Sequence, residues 1–140
     1  MLYRASTCAV LSLFSACALS LLGCGGGGGS TYDVTGMVTF QGKPVPKGFI
    51  TFEPDTAKGN TGPGGGATIV NGKFKTDKGK GVVGGPYIVK IVGYDGIVAN
   101  QSGEELTDGK PLFAPYVTNF DFPKEDSDQK FEVPDSQANE

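Results

Sequence analysis

An all-β fold is what this sequence predicts, and three observations carry it. Between Val34 and Val133 apolar residues recur with period two in several short runs. Glycine and proline, 23 and 9 of the 140 residues, punctuate those runs where turns are needed. After Cys24 no stretch of useful length carries the 3.6-residue apolar period of an amphipathic helix. Seven or so short strands separated by turns point to a sandwich.

The first strand begins at Val34. Val34, Val38 and Phe40 fall on one side and Thr35, Met37 and Thr39 on the other, the pattern of a half-buried strand. Gly36 interrupts the inward row and suggests a bulge or a close backbone approach. Gln41-Gly42 and the segment Pro44 to Gly48 supply turn chemistry. A second strand, Phe49 to Glu53, places Ile50 and Phe52 together and stops at Pro54. Thr56 to Gly66 reads as a loop. Ala67 to Val70 and Lys73 to Thr76 read as a hairpin, because Asn71-Gly72 is the dipeptide a type I′ turn requires.

Pro86 to Tyr94 is the strongest strand. Tyr87, Val89 and Ile91 form one row and Ile88, Lys90 and Val92 the other, so both faces carry apolar groups and the strand is expected to be central. Ile97 to Pro111 reads as a polar loop with a helical turn near Glu104 to Thr107. Tyr116 to Thr118 and Gln129 to Val133 are short strands, the last ended by Pro134.

The run Val34-Thr35-Gly36-Met37-Val38-Thr39-Phe40-Gln41-Gly42-Lys43-Pro44-Val45, continuing through Gly48, Ile50 and Phe52, resembles the opening of carboxypeptidase regulatory-like domains. Asn71-Gly72-Lys73-Phe74 is similar to that family's Gly-x-Phe hairpin, and Gly85-Pro86-Tyr87-Ile88-Val89-Lys90-Ile91 to its Gly-x-Tyr-x-Val strand. Two places depart from the pattern: Val70-Asn71 stands where an Asp often precedes the hairpin glycine, and Thr56 to Gly66 is unusually glycine-rich. The resemblance covers about Val34 to Val133 and is closest to small bacterial lipoproteins made of an export signal and one such domain. It implies a seven-stranded transthyretin-like Greek-key sandwich, no catalysis and no zinc ligands.

The start of the chain has its own logic. Arg4, an apolar run from Ala9 to Leu22 and a small residue, Gly23, are the three parts of an export signal, and Cys24 follows the cut. Residues 1–23 are thus expected to be a lipoprotein signal peptide, with Cys24 as the lipid attachment site. Two or three acyl chains there would anchor the chain stably to a membrane. The rival readings are ordinary cleavage with secretion and an uncleaved helix, for which Ala5 to Leu22 falls short of the roughly 20 residues that span a bilayer. Residues 24–31 are a Gly-rich tether, spanning about 15 Å as a random coil. Residues 32–134 form the domain, followed by a polar tail at 135–140. The expected location is a bacterial cell envelope, with the domain on the periplasmic or extracellular side.

Composition bounds the function. The formal charge of the whole chain is −3. All acidic residues lie beyond Cys24 whereas Arg4 precedes it, so the exported part is more acidic still and nucleic acid is not an expected partner. Cys8 and Cys17 lie in the signal, which leaves Cys24 as the single exported cysteine and no internal disulfide. The chain has no histidine, hence no side chain that ordinarily titrates near neutrality and none of the commonest transition-metal ligand. Neither a cofactor nor a metal is expected.

The remaining candidates each have a plainer account. Gly59 to Gly66 lacks the Gly-Lys-Ser/Thr ending of a phosphate cradle and reads as a flexible loop. Lys73, Lys75, Lys78 and Lys80 form a basic stretch that suits anionic lipid or polysaccharide, and equally a solvated strand face. Asp121, Glu125, Asp126 and Asp128 do not follow the spacing of a calcium loop and read as a solvated acidic loop. Phe113, Tyr116, Phe120 and Phe122 are candidate ligand-binding aromatics for glycan or peptide, and equally core cover. Ser30, Ser102, Ser127 and Ser136 have no base beside them in the sequence, and paired carboxylates lack a cleft-forming second domain. The expected role is a non-catalytic interaction or structural module. Its alternative is a glycan- or peptide-binding module using Phe113 to Phe122.

Overall fold

The computed structural model describes residues 30–101 and 103–138, with the side chains of Gln101 and Glu104 left out. It is all-β. Its strands are β1 (Val34–Phe40), β2 (Lys43–Pro44), β3 (Lys47–Pro54), β4 (Gly65–Val70), β5 (Lys73–Lys75), β6 (Gly85–Tyr94), β7 (Ala99–Gln101), β8 (Glu104–Leu106), β9 (Tyr116–Phe122) and β10 (Ser127–Val133), with 3₁₀ turns at Thr56–Lys58 and Asp135–Gln137.

Eight strands share one curled sheet in the order β10-β1-β5-β4-β3-β6-β9, with β2 paired to β1. All pairings are antiparallel except β1 with β10, which run parallel over seven residues from Val34↔Ser127 to Phe40↔Val133. Two tight turns set the antiparallel registers. Gln41 (φ 52°) joins β1 to β2 and Asn71 (φ 49°) joins β4 to β5, each followed by a glycine that is also left-handed. That is the geometry a two-residue type I′ hairpin needs. The sheet is held together unevenly. β3 shares eight register pairs with β6, whereas β4 and β5 share only Val70↔Lys73, at the turn that connects them.

The inward rows make the core. Val34, Val38 and Phe40 of β1, Ile50 and Phe52 of β3, Tyr87, Val89 and Ile91 of β6, and Phe131 and Val133 of β10 are all buried. Burying each such side chain contributes about 1.5–3 kcal/mol. Rings then bridge elements: Phe52 packs edge-on against Phe122 at 5.2 Å, and Phe122 against Tyr87 at 5.6 Å. The Tyr87 hydroxyl accepts from the Val83 N–H and donates to the Pro63 carbonyl, both at 3.1 Å, so its burial leaves no polar atom unpaired.

Two glycines permit close approach. A Cβ on Gly36 would collide with the Gln129 carbonyl and lie 2.8 Å from the Phe74 ring, so glycine there lets β10 and Phe74 close on β1. A Cβ on Gly93 would lie 2.6 Å from Phe113 and 2.8 Å from Val45. The space it leaves is where the Phe113 ring enters the core to meet Phe40 at 5.0 Å.

Several sequence expectations are revised. Among the described residues ten strands form, where seven or so were expected. The polar stretch Ile97 to Pro111 contains the hairpin β7–β8, so Glu104 to Thr107 is not a helical turn: Glu104–Leu106 pairs antiparallel with Ala99–Gln101. Tyr116 to Thr118 extends to Phe122 because β6 offers a seven-residue register, and the last strand starts at Ser127 because β1 does the same. Beyond β10, residues 135–138 return to the domain. Ala138 bridges Phe113, and the Ala114 N–H donates to the Gln137 carbonyl at 2.8 Å.

Candidate functional site

Gly23 and Cys24, with the signal and most of the tether, lie outside the described residues. Among the described residues no helix is long and apolar enough to cross a membrane. The described chain starts at Ser30, and Tyr32 bridges Val82 through the Tyr32 N–H to Val82 carbonyl bond of 2.7 Å.

The aromatic candidates do not form a platform. Phe113 and Phe122 are each 2% exposed and belong to the core, because the gap at Gly93 and the ring cluster around Phe52 take them in. Tyr116 and Phe120 are half-buried and pack against that core. A stacking role for Phe113 and Phe122 is therefore corrected to core packing.

The acidic residues hold backbone in place. The Asp33 N–H donates to Asp126 Oδ1 at 2.8 Å, and Thr35 Oγ1 donates to Asp128 Oδ2 at 3.0 Å, which ties the start of β1 to the start of β10. Asp121 and Glu125 are exposed. Among the described residues no three His, Cys, Asp or Glu side chains converge where they would hold a metal ion.

The glycine-rich loop is pinned by Asn60. Its side-chain nitrogen donates to Pro86 O at 2.9 Å and to Gly84 O at 3.4 Å, while its oxygen accepts from the Gly62 N–H at 3.0 Å. Asp55 caps the 3₁₀ turn and pairs with Lys58 at 3.2 Å. Of the serines, Ser30 and Ser136 are exposed, Ser102 lies outside the described residues, and Ser127 Oγ is buried without a hydrogen-bond partner.

The basic stretch divides. Lys80 pairs with Asp77 at 3.5 Å and Lys78 stands exposed beside it, whereas Lys73 and Lys75 lie on the outer face of β5. The parallel pairing of β10 brings Lys130 into that face. Register sets Lys73, Met37 and Lys130 in one row across β5, β1 and β10, and Lys75, Thr35 and Asp128 in the next. With strands about 4.8 Å apart, Lys73 and Lys130 stand roughly 10 Å from one another on either side of Met37. None of Lys73, Lys75 and Lys130 makes an ion pair among the described residues.

These lysines overlook two shallow clefts of about 460 and 420 Å³, which meet at Thr68 and Lys75. Phe49 and Val70, 46% and 54% exposed, supply apolar surface on the β3–β4 side. The sequence pointed to Lys73 and Lys75 but not to Lys130 or Met37, because only the β1–β10 register places them together. Compared with known protein families, with curated proteins and with solved structures, the chain matches none.

Proposed function

We propose that this chain is a lipid-anchored, non-catalytic interaction module of a bacterial cell envelope. The observation that carries the anchor is the order of its first 29 residues: Arg4, an apolar run, Leu21-Leu22-Gly23, Cys24 and then five glycines. The strand path starts only at Val34, which leaves a short glycine-rich connection between anchor and domain. For the fold, the finer reading is a transthyretin-like Greek-key sandwich. It is supported by the way the single curled sheet divides at Val70↔Lys73 into β9-β6-β3-β4 and β5-β1-β10, whose inner faces share one core.

The non-catalytic reading rests on composition and on the surface chemistry: the chain has no histidine, and its open face carries lysines and apolar groups, with its carboxylate Asp128 tied to Thr35. Tethering raises the local concentration of such a face at the membrane, so modest contacts suffice for occupancy. The glycan-platform alternative loses its support with Phe113 and Phe122 in the core. Labelling with radioactive palmitate tests the anchor: the wild-type chain takes up label and partitions into detergent, and Cys24→Ser does neither. Equal labelling of Cys24→Ser removes the proposal.

A further inference from the structure

We infer that the outer face of the sheet from β10 to β3 is a membrane-contact surface, which seats the domain on anionic phospholipid headgroups. One register row carries it. Lys130 pairs with Met37, Met37 with Lys73, Lys73 with Val70, Val70 with Lys47 and Lys47 with Tyr94, so cation and apolar group alternate across six neighbouring strands. Paired residues share one face of a sheet, with neighbours in the row about 4.8 Å apart. This face is the outer one, because Lys130, Lys73, Val70 and Lys47 are exposed while Phe131, Phe74 and Ile69 beside them are buried. Next to the row, Phe49 adds a ring 46% exposed on β3, and Lys75 a further ammonium on β5.

Lysine outweighs carboxylate here. Lys73, Lys75 and Lys130 make no ion pair among the described residues, and Lys47 meets Asp108 at 3.3 Å in an exposed contact of the kind that contributes little. Of the carboxylates lining the two clefts, Asp128 accepts from Thr35 and Asp77 pairs with Lys80. Glu53 and Glu132, outward on β3 and β10, line neither cleft. A surface that alternates lysine with apolar groups lacks the separate apolar centre and polar rim of a protein docking site. A second copy seated on it face to face would bring no carboxylates to meet its lysines. A headgroup layer supplies both contacts at every step: ammonium groups reach phosphates while Met37, Val70 and Phe49 enter the acyl boundary. Being fluid, that layer also fills shallow clefts of about 460 and 420 Å³, and the long lysine stems follow the curl of the sheet.

The start of the domain lies beside this face. β1, which carries Thr35 and Met37, is the first strand, and the glycine-rich residues 24–31 before it span about 15 Å as a coil. At that reach the effective concentration of the face at the bilayer is on the order of millimolar, and each lysine held near an anionic surface strengthens the contact about fivefold. This deepens the interaction-module reading by naming the bilayer itself as partner, and rests on that reading for the tether. The domain then lies on its β5–β4 side. Lys124, exposed in the turn between β9 and β10 where the two ends of the strand path meet, points away from the lipid.

For the test, the full chain is reconstituted on vesicles of phosphatidylcholine alone or of equal parts phosphatidylcholine and phosphatidylglycerol. Its lysines are labelled with a membrane-impermeant amine reagent and read by mass spectrometry. On the anionic vesicles Lys73, Lys75 and Lys130 react about tenfold more slowly than on the neutral ones, Lys124 reacts at an unchanged rate, and salt near molar removes the difference. A second readout uses the lack of tryptophan in the chain: Phe49→Trp introduces a single one at an exposed position, and brominated phosphatidylcholine quenches it on the anionic vesicles only. Adding Lys73→Glu/Lys130→Glu, both at exposed positions, abolishes that quenching while the urea midpoint stays the same. Equal reactivity of the three lysines on both vesicles overturns the inference. So does quenching that survives Lys73→Glu/Lys130→Glu, or shielding by polygalacturonate on neutral vesicles where phosphatidylglycerol gives none. The Cys24→Ser chain, which keeps the apolar run from Ala9 to Leu22 to hold it on the vesicles, gives the wild-type lysine pattern, so loss of acylation and failure of the face are separate results.

Discussion

Phe120 and Phe131 meet edge to face, their ring centroids 5.3 Å apart, across the gap in the strand path between β9 and β10. The two strands share no register pairs, and the gap is bounded at one end by the bridge Phe113↔Ala138 and at the other by the turn from Pro123 to Asp126. Side-chain packing closes what backbone hydrogen bonding does not. Phe131→Ala should cost about 3–5 kcal/mol, and Phe120→Ala less, because Phe120 is only half-buried. A double-mutant cycle by urea unfolding should give about 1 kcal/mol of coupling between the rings. No coupling would mean that each ring serves its own layer.

Tyr87→Phe removes one hydroxyl and strands two partners, the Val83 N–H and the Pro63 carbonyl. The expected cost is about 0.5–1.5 kcal/mol, the net worth of a hydrogen bond, because the Val83 N–H and Pro63 carbonyl are only partly buried and water can replace the hydroxyl. It should be read from a lowered urea midpoint with an unchanged slope, since the fold and the surface it buries stay the same.

Asn60→Ala breaks three hydrogen bonds at once, to Pro86, Gly84 and Gly62. A loss of about 2 kcal/mol is expected. Limited proteolysis should show new cleavage between Thr56 and Gly66 before the rest of the domain is touched. Cleavage no faster than wild type would show that Asp55 and Tyr87 hold the loop without Asn60.

Gly36→Ala drives a methyl group into the Gln129 carbonyl and toward Phe74. The strain should cost about 1–3 kcal/mol or more. Its signature is local, with hydrogen exchange accelerated in Ser127–Val133 more than in β3 or β6. Uniform loss of protection would place the strain elsewhere.

The hairpin β7–β8 has three register pairs and no strand neighbour in the main sheet. Two-stranded ribbons of this size are marginal in water. Amide exchange of Ala99 and Leu106 should thus be faster than that of Val89 and Ile91 by several orders of magnitude, as expected when local opening precedes global unfolding.

How much of this was legible depended on whether a strand carries its own pattern. The rows of β1, β3 and β6 could be read directly, since one face of each is core and alternation reports it. β8 could not, because Glu104, Glu105 and Leu106 are good helix formers and only pairing with Ala99–Gln101 overrides that preference. Ser127 and Asp128 are poor strand formers enlisted by the register of β1. Phe113 gave no local sign of burial, for its place in the core is left by Gly93, twenty residues earlier. The lysine face was half legible: Lys73 and Lys75 alternate around Phe74, but Lys130 joins them through a parallel pairing between opposite ends of the chain.

That parallel pairing also orders events during synthesis. β1 is made first, yet its partner on one side is the last strand to emerge, and the register Val34↔Ser127 closes a loop of 93 residues in sequence separation. Contacts this distant are slow to form, because chain entropy must be lost before they contribute. Until they do, the nascent chain presents β1 as an uncovered edge with Val34 and Val38 beside it, the kind of surface on which unfinished chains associate. A chain truncated before Ser127 should therefore bind a holdase chaperone after dilution from urea, and the chain extended past Val133 should fold free of it.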